Sequence, residues 1–245
     1  VRGDHRQGRA PDPARGRQRA GVHRHLSTRA VHPVARGLLG WIQAHPERLR
    51  ELLAEEAEGA EDLSPAGDPA VRAHLRLVAE ALAANAAPGA RGSLERFAAD
   101  LPARLAERDL DRELELIGEA TAFELGLQFG DSAGEDPSVH AMVDRRVRIA
   151  AWTRGFLDAL DEARAPAPPI AAATLAWMGD HQTLLADTIF AMDRRAKEGE
   201  IVRGGPDAVA SPEVVNRIGQ AAMLQAHSRF LVEALAEAMG PGPAA

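Results

Sequence analysis

Gly130-Asp131-Ser132-Ala133-Gly134 has the G-x-S-x-G spacing, which can raise a nucleophilic serine on a sharp turn between a strand and a helix. Phe123, Leu125, Leu127 and Phe129 alternate briefly, as one face of a preceding strand would. Asp136-Pro137 then interrupts the following helix after one turn, no HGGG-type run lies upstream, and no partner strand is found elsewhere. A loop accounts for the glycines more simply. Metal chemistry is poorly provided for as well. There is no cysteine, and none of the nine histidines has a Glu three residues before it, the spacing that sets a carboxylate and an imidazole one helical turn apart. His140 with Asp144 and Asp180 with His181 are isolated pairs. The expectation is a protein that is not an enzyme and uses no metal and no cofactor, with a hydrolase acting through Ser132 as the alternative.

Apolar ligand binding is a better match to the residues. Met142, Ile149, Trp152, Phe156 and Leu160 recur at three- and four-residue steps and share one helix face. Asp136 and Pro137 supply a cap and a first turn. Beyond the spacer Ala165-Pro166-Ala167-Pro168-Pro169, Leu175, Met178, Leu185, Ile189 and Met192 form one stripe, with Trp177, His181, Leu184 and Thr188 beside it. So wide a surface predicts a helix packed on two sides. This pair of helices holds two of the three tryptophans and three of the five methionines in a chain without tyrosine. Stripes of that kind are commonly packing. They would also serve as a cavity between helices, lined by Trp152, Phe156, Trp177 and Met178 with His181 and Thr153 as polar groups. A lone His181 on an apolar face is more often a satisfied core histidine than a ligand or base.

The elements that must position these residues are helical throughout. Residues 1–33 hold four aliphatic anchors among Arg, Gly, Pro and His, too few to repay chain ordering, so a disordered basic tail is expected. From Val34 the pattern turns helical. Leu38, Leu39 and Ile42 precede Pro46, and Leu49, Leu52 and Leu53 follow it. Asp68-Pro69 opens a helix with Val71, Leu75, Val78 and Leu82. Residues 85–92 are small and read as a connection or sub-domain boundary. Ser93 then starts a helix carrying Leu94, Phe97, Leu101 and Leu105, with Pro102 expected to bend it. Asp109 begins a further segment with Leu110, Leu114 and Ile117. Residues 197–210 read as a polar, Gly-rich loop. Ser211-Pro212 launches a closing helix in which Gly219, Ala222 and Ala226 are small enough for another helix to approach closely. The expected organisation is a tail over 1–33, a helical part over 34–108 and a ligand-binding part over 109–240.

Charge narrows the partners. The formal net charge is −7, yet eight arginines stand against Asp4 and Asp12 in residues 1–33, a balance of +6 that leaves −13 on the remainder. An acidic body suits nucleic acid poorly, because phosphate contacts need a positive stripe on a folded face. Arg145, Arg146 and Arg148, like Arg194, Arg195 and Lys197, lack interleaved aromatics and read as solvated faces. No apolar run approaches a membrane span, and no signal-peptide apolar region follows the basic start. The expectation is a soluble, cytoplasmic protein.

Two resemblances follow from these residues. The GDSAG spelling resembles the nucleophile elbow of the hormone-sensitive-lipase branch of α/β-hydrolases. The stretch from about Leu110 to Met239 resembles the C-terminal domain of tetracycline-repressor (TetR) family regulators, in the ethionamide-repressor-like branch. It does so through Trp152-x-x-x-Phe156-x-x-x-Leu160-Asp161-Glu162-Ala163, the Pro-rich spacer, Ala172-x-x-x-Ala176-Trp177-Met178, a polar loop and a long closing helix. Gly37-Leu38-Leu39-Gly40-Trp41-Ile42 and His45-Pro46-Glu47 are similar to the ligand-domain helices of the same family. The resemblance implies an all-α helical bundle that senses a small apolar effector near Phe123, Trp152, Phe156, Trp177, Met178 and His181. It also implies a homodimer formed through 171–192 and 212–239, with Leu185, Ile189, Ile218, Ala222 and Met223 at the interface. The family's N-terminal helix-turn-helix departs from view. Arg19-Ala20-Gly21-Val22-His23 is similar to the turn before a recognition helix, but its flanks lack the apolar positions that three short helices require. Either the DNA reader is lost or the residues before Val34 are not the natural ones, so DNA is a partner only if a helix-turn-helix is present in the natural protein. A non-catalytic dimerisation module is the remaining alternative.

Overall fold

The computed structural model describes residues 32–58, 68–106 and 137–240. They form α1 (Pro33–Ala44), α2 (Pro46–Glu58), α3 (Pro69–Asn85), α4 (Pro88–Ala106), α5 (Pro137–Arg164), α6 (Ala171–Asp180), α7 (Gln182–Gly204), a 3-10 turn (Pro206–Val209) and α8 (Pro212–Met239). No strand occurs among the described residues, and the fold is all-α. The tail up to Val31, the segment from Asp109 that contains Phe123, and the Ser132 motif lie outside the described residues.

Proline sets most of the starts. Among the described helices, six begin on Pro33, Pro46, Pro69, Pro88, Pro137 and Pro212, where a fixed φ and a missing N–H cost nothing. At α3 the Asp68 carboxylate completes the start by accepting from the N–H groups of Ala70 and Val71 at 3.1 and 3.2 Å. Three boundaries differ from the sequence expectation. The small-residue stretch after Asn85 shrinks to two residues, because α4 opens at Pro88 and not at Ser93. That connection is a tight helical corner inside one unit. The polar stretch after Lys197 remains helical to Gly204, laced by Lys197–Asp193 at 2.7 Å and Arg203–Glu200 at 3.0 Å. Gly205, at φ +79°, ends it in a conformation that favours glycine. The third difference is a break at His181, which divides the expected second apolar helix into α6 and α7.

That break has a counterpart at the other end of the fold. Trp41 and His45 stack at 4.2 Å between ring centroids and Trp177 and His181 at 4.1 Å. In each pair the imidazole Nδ1–H donates to the tryptophan carbonyl four residues earlier, at 2.7 and 2.8 Å. Each histidine backbone N–H also tightens the last turn onto a carbonyl three residues back. Trp-x-x-x-His is therefore a helix corner used twice in this chain.

The core is built around α3, which packs against α1, α2, α4, α5 and α8. The predicted positions Val71, Leu75, Val78 and Leu82 are buried, and so are Ala73, Leu77, Ala79 and Ala81, which leaves the helix with almost no outer face. Gly37 lets α1 approach closely, since a Cβ there would come within 2.9 Å of Asn85 Oδ1. On α2, Leu52 packs against Ala73 and Leu77 with Trp41, Ile42, Leu49 and Leu53 around it. Alongside runs an ion-pair zipper: Arg48 to Glu80 at 2.8 Å, Arg76 to both Glu55 and Glu56 at 2.8 Å, and Arg72 to Glu56 at 2.6 Å. The Arg72 guanidinium also lies 5.8 Å from the Trp152 ring centroid, at cation–π distance.

The turn that delivers α6 is fixed by one carboxylate. Asp161 of α5 accepts from the Ile170 and Ala171 N–H groups at 2.7 and 2.9 Å, one to each oxygen. Ile170, at the N-cap position, has no side-chain acceptor of its own, so Asp161 caps α6 from a different helix. Arg164 stands 3.6 Å from the same carboxylate. Asp161→Ala is expected to lower the urea unfolding free energy by about 1–2 kcal/mol, with Asp161→Asn retaining part of it. An alanine variant with the wild-type denaturation midpoint would show that α6 is held without this cap.

Candidate functional site

The apolar residues singled out in the sequence occupy two separate seams. In the first, Trp152 and Phe156 of α5 are buried, and Phe156 meets Phe97 of α4 edge-on at 5.5 Å. In the second, Trp177 of α6 tilts against Phe230 of α8 at 5.1 Å. Met178, Leu184, Ile189 and Met192 pack with it on Leu185, Ala226 and Phe230. His181 spends Nδ1 and one ring face on Trp177 in the corner described above. Phe123 lies outside the described residues. Of the residues expected at an interface, Leu185, Ile218 and Ala222 are buried within the chain, while Ile189 and Met223 are half-buried. Phe190 of α7, which neither apolar stripe includes, is 73 % exposed.

A cavity lies elsewhere, where α3, α5 and α8 meet. It measures about 20 Å³, enough for one water-sized group, and its concavity including the mouth is about 260 Å³. The apolar wall comes from Val71, Leu75, Ile149, Leu224 and Leu231, and the polar groups are His74, Thr153, His227 and Ser228. Helical spacing puts them there. His74 falls one turn after Val71 on α3, Thr153 one turn after Ile149 on α5, and His227 midway between Leu224 and Leu231 on α8.

A polar clamp at one end holds the three helices in register. Arg145 of α5 donates to Gln220 of α8 at 2.8 Å and stands 3.4 Å from the Asp68 carboxylate, the same group that caps α3. Arg145 is thus a half-buried tie and not the solvated cation its neighbours in sequence suggest. From Arg145 the chain reaches Ile149 and Thr153 at four-residue steps, and from Gln220 it reaches Leu224 and His227. The clamp and the cavity are successive layers of one three-helix seam.

Burial favours the neutral form of both imidazoles. His74 is buried and its Nδ1 lies 2.8 Å from the Ala70 carbonyl. A carbonyl only accepts, so Nδ1 carries the proton and Nε2 presents a lone pair. Burial, aided by Arg145, moves the His74 pKa below the ordinary imidazole value. His227 as a whole is half-buried but its Nε2 is out of reach of solvent. Burial first, and Arg146 second, push it down to about 4. Neither Nε2 has a hydrogen-bond partner among the described residues. Ser228 donates its hydroxyl proton to the Leu224 carbonyl at 3.0 Å, which leaves its oxygen lone pairs available. His74 Nε2 and Ser228 Oγ therefore stand in the cavity lining as acceptors.

No group of three or more His, Cys, Asp or Glu among the described residues could hold a metal ion, and no helix among them is long and apolar enough to cross a membrane. Comparison of the chain with protein-family models, with curated proteins and with solved structures returned no match.

Sequence reasoning missed His74 and His227 because each was weighed singly, against a metal-ligand spacing. The available signal was a histidine set inside an apolar stripe on two different helices. The site predicts a pH dependence of stability. An unfolded imidazole binds its proton near pH 6.5 and folded His227 only near 4, so between these values the unfolded chain holds more protons. Stability is then full above pH 6.5 and is lost as the pH falls towards 4. Urea midpoints measured across that window should fall less steeply in His227→Leu than in the wild type. An equal slope in both would show that this imidazole titrates freely in the fold.

Proposed function

We propose that this chain is the effector-binding, dimerising body of a TetR-like transcriptional regulator, non-catalytic, with a small apolar molecule and a second copy of itself as its partners. The observation that carries the reading is the closing pair of long helices. α7 and α8 pack along each other at the end of an all-α unit, and α7 presents Phe190 at 73 % exposure beside half-buried Ile189 and Met192. A large apolar residue at that exposure, continuous with partly covered neighbours, is the composition of a surface that another helix covers. The small residues Gly219, Ala222 and Ala226 already admit α7 on one side of α8. DNA enters this reading only through a helix-turn-helix in the natural protein, and no membrane partner is included.

Effector action in such a body is a shift between helix arrangements, in which the ligand stabilises the packing that it contacts. The seam of α3, α5 and α8 suits that role because α8 is shared between the cavity and the closing pair. Sedimentation equilibrium should find a homodimer at micromolar concentration. Phe190→Glu should weaken it by about 2 kcal/mol, roughly thirtyfold in dissociation constant, with an unchanged helical circular dichroism spectrum. A wild-type chain that stays monomeric throughout the micromolar range ends this reading.

A further inference from the structure

We propose that the cavity between α3, α5 and α8 is a head-group site for an uncharged small molecule that carries one hydrogen-bond donor, a hydroxyl or an amide N–H, on an apolar body. The proposal takes from the regulator reading only the expectation of an apolar effector, and it places the polar end of that molecule.

The chemistry of the lining selects the donor. His74 Nε2 is a buried acceptor without a partner among the described residues, and it is locked as an acceptor by the Nδ1–H bond to the Ala70 carbonyl. Ser228 Oγ has committed its proton to Leu224 and keeps its lone pairs. A ligand group that only accepts leaves these atoms unsatisfied, whereas a hydroxyl or amide N–H satisfies one directly. The size agrees, since about 20 Å³ admits a single polar head and the apolar remainder would meet the apolar lining of Val71, Leu75 and Leu231.

Charge excludes two other classes. Arg145 acts on His74 and Arg146 on His227 against added positive charge, with Asp68 opposing Arg145 in part at His74. An ammonium or a metal cation entering the cavity meets that same field. A carboxylate requires several donors, and against the Thr153 hydroxyl and one His227 N–H stand His74 Nε2 and Ser228 Oγ, both acceptors. An uncharged donor meets neither obstacle. The test uses four probes that share one ring: benzyl alcohol, toluene, benzylamine in its ammonium form, and benzoate.

Ligand-observed saturation-transfer NMR and calorimetric titration of the full chain at pH 7 should rank benzyl alcohol about tenfold above toluene, with the two charged probes weaker than either. His74→Leu should bring the alcohol-to-toluene ratio close to one, and Ser228→Ala should reduce it, each with wild-type circular dichroism. Ser228→Ala decides alone if His74→Leu does not fold. Equal binding of toluene and benzyl alcohol, a preference for either charged probe, no binding at millimolar concentration, or an alcohol preference unchanged by the variants would each overturn the assignment. A chain that binds benzyl alcohol in this way as a monomer keeps the site and loses the regulator reading.

Discussion

α3 is surrounded by five other helices, so every polar group on it must find its partner inside the protein. That constraint organises the described structure. Glu80, Arg76 and Arg72 meet it through the α2 carboxylates and Arg48. Asp68 meets it with its own helix start and Arg145. Glu56 is 6 % exposed and is tolerable there because two guanidiniums neutralise it, since removing one partner of a buried pair costs far more than the pair contributes. Two buried nitrogens of α3, His74 Nε2 and Arg76 Nε, have no partner among the described residues. Of the two, it is the His74 residue that lines the cavity.

α8 answers α3 from the opposite side of the seam. From Leu224 to Ala236 it is buried at nearly every second or third position, including Ala226, Phe230, Leu231, Val232, Ala234 and Leu235. Its flank towards α6 and α7 takes Trp177 and Leu185. Its flank towards α3 and α5 carries Leu224, His227 and Leu231. A movement of α8 that accommodates a ligand on one flank necessarily disturbs packing on the other, because both flanks belong to one rigid rod. Coupling between the cavity and the packing of α6 and α7 follows from that geometry without a relay of side chains.

Much of the fold was legible because this chain marks its helices with proline and its core with leucine and alanine. Pro46, Pro69, Pro137 and Pro212 open helices where the sequence places them, and the stripe Val71, Leu75, Val78 and Leu82 faces the core as its spacing requires. The failures share a physical cause. Gly199 and Gly204 argued for a loop, but the ion pairs along α7 keep it helical through the first and up to the second. The division at His181 was hidden because the apolar stripe continues across it, while the corner depends on a ring stack and a side-chain bond that periodicity does not encode.

The site was less legible than the fold for a related reason. Trp152, Phe156, Trp177 and Met178 drew notice by being large and rare, and large apolar residues mark where helices pack, which is where these lie. The polar groups of the cavity belong to common residues, two histidines, a serine and a threonine, each unremarkable on its own helix. Their meaning depends on three segments converging, and on Asp68 and Gln220 reaching the same arginine so that the layers align. A periodic pattern fixes which side of a helix is buried, yet it carries no record of which other helix lies opposite. Polar residues embedded in apolar stripes are the exception worth following, because burial makes each of them demand a partner. Two such residues on separate helices, both with an unanswered nitrogen, narrow the possible pairings of helices as well as the possible ligands.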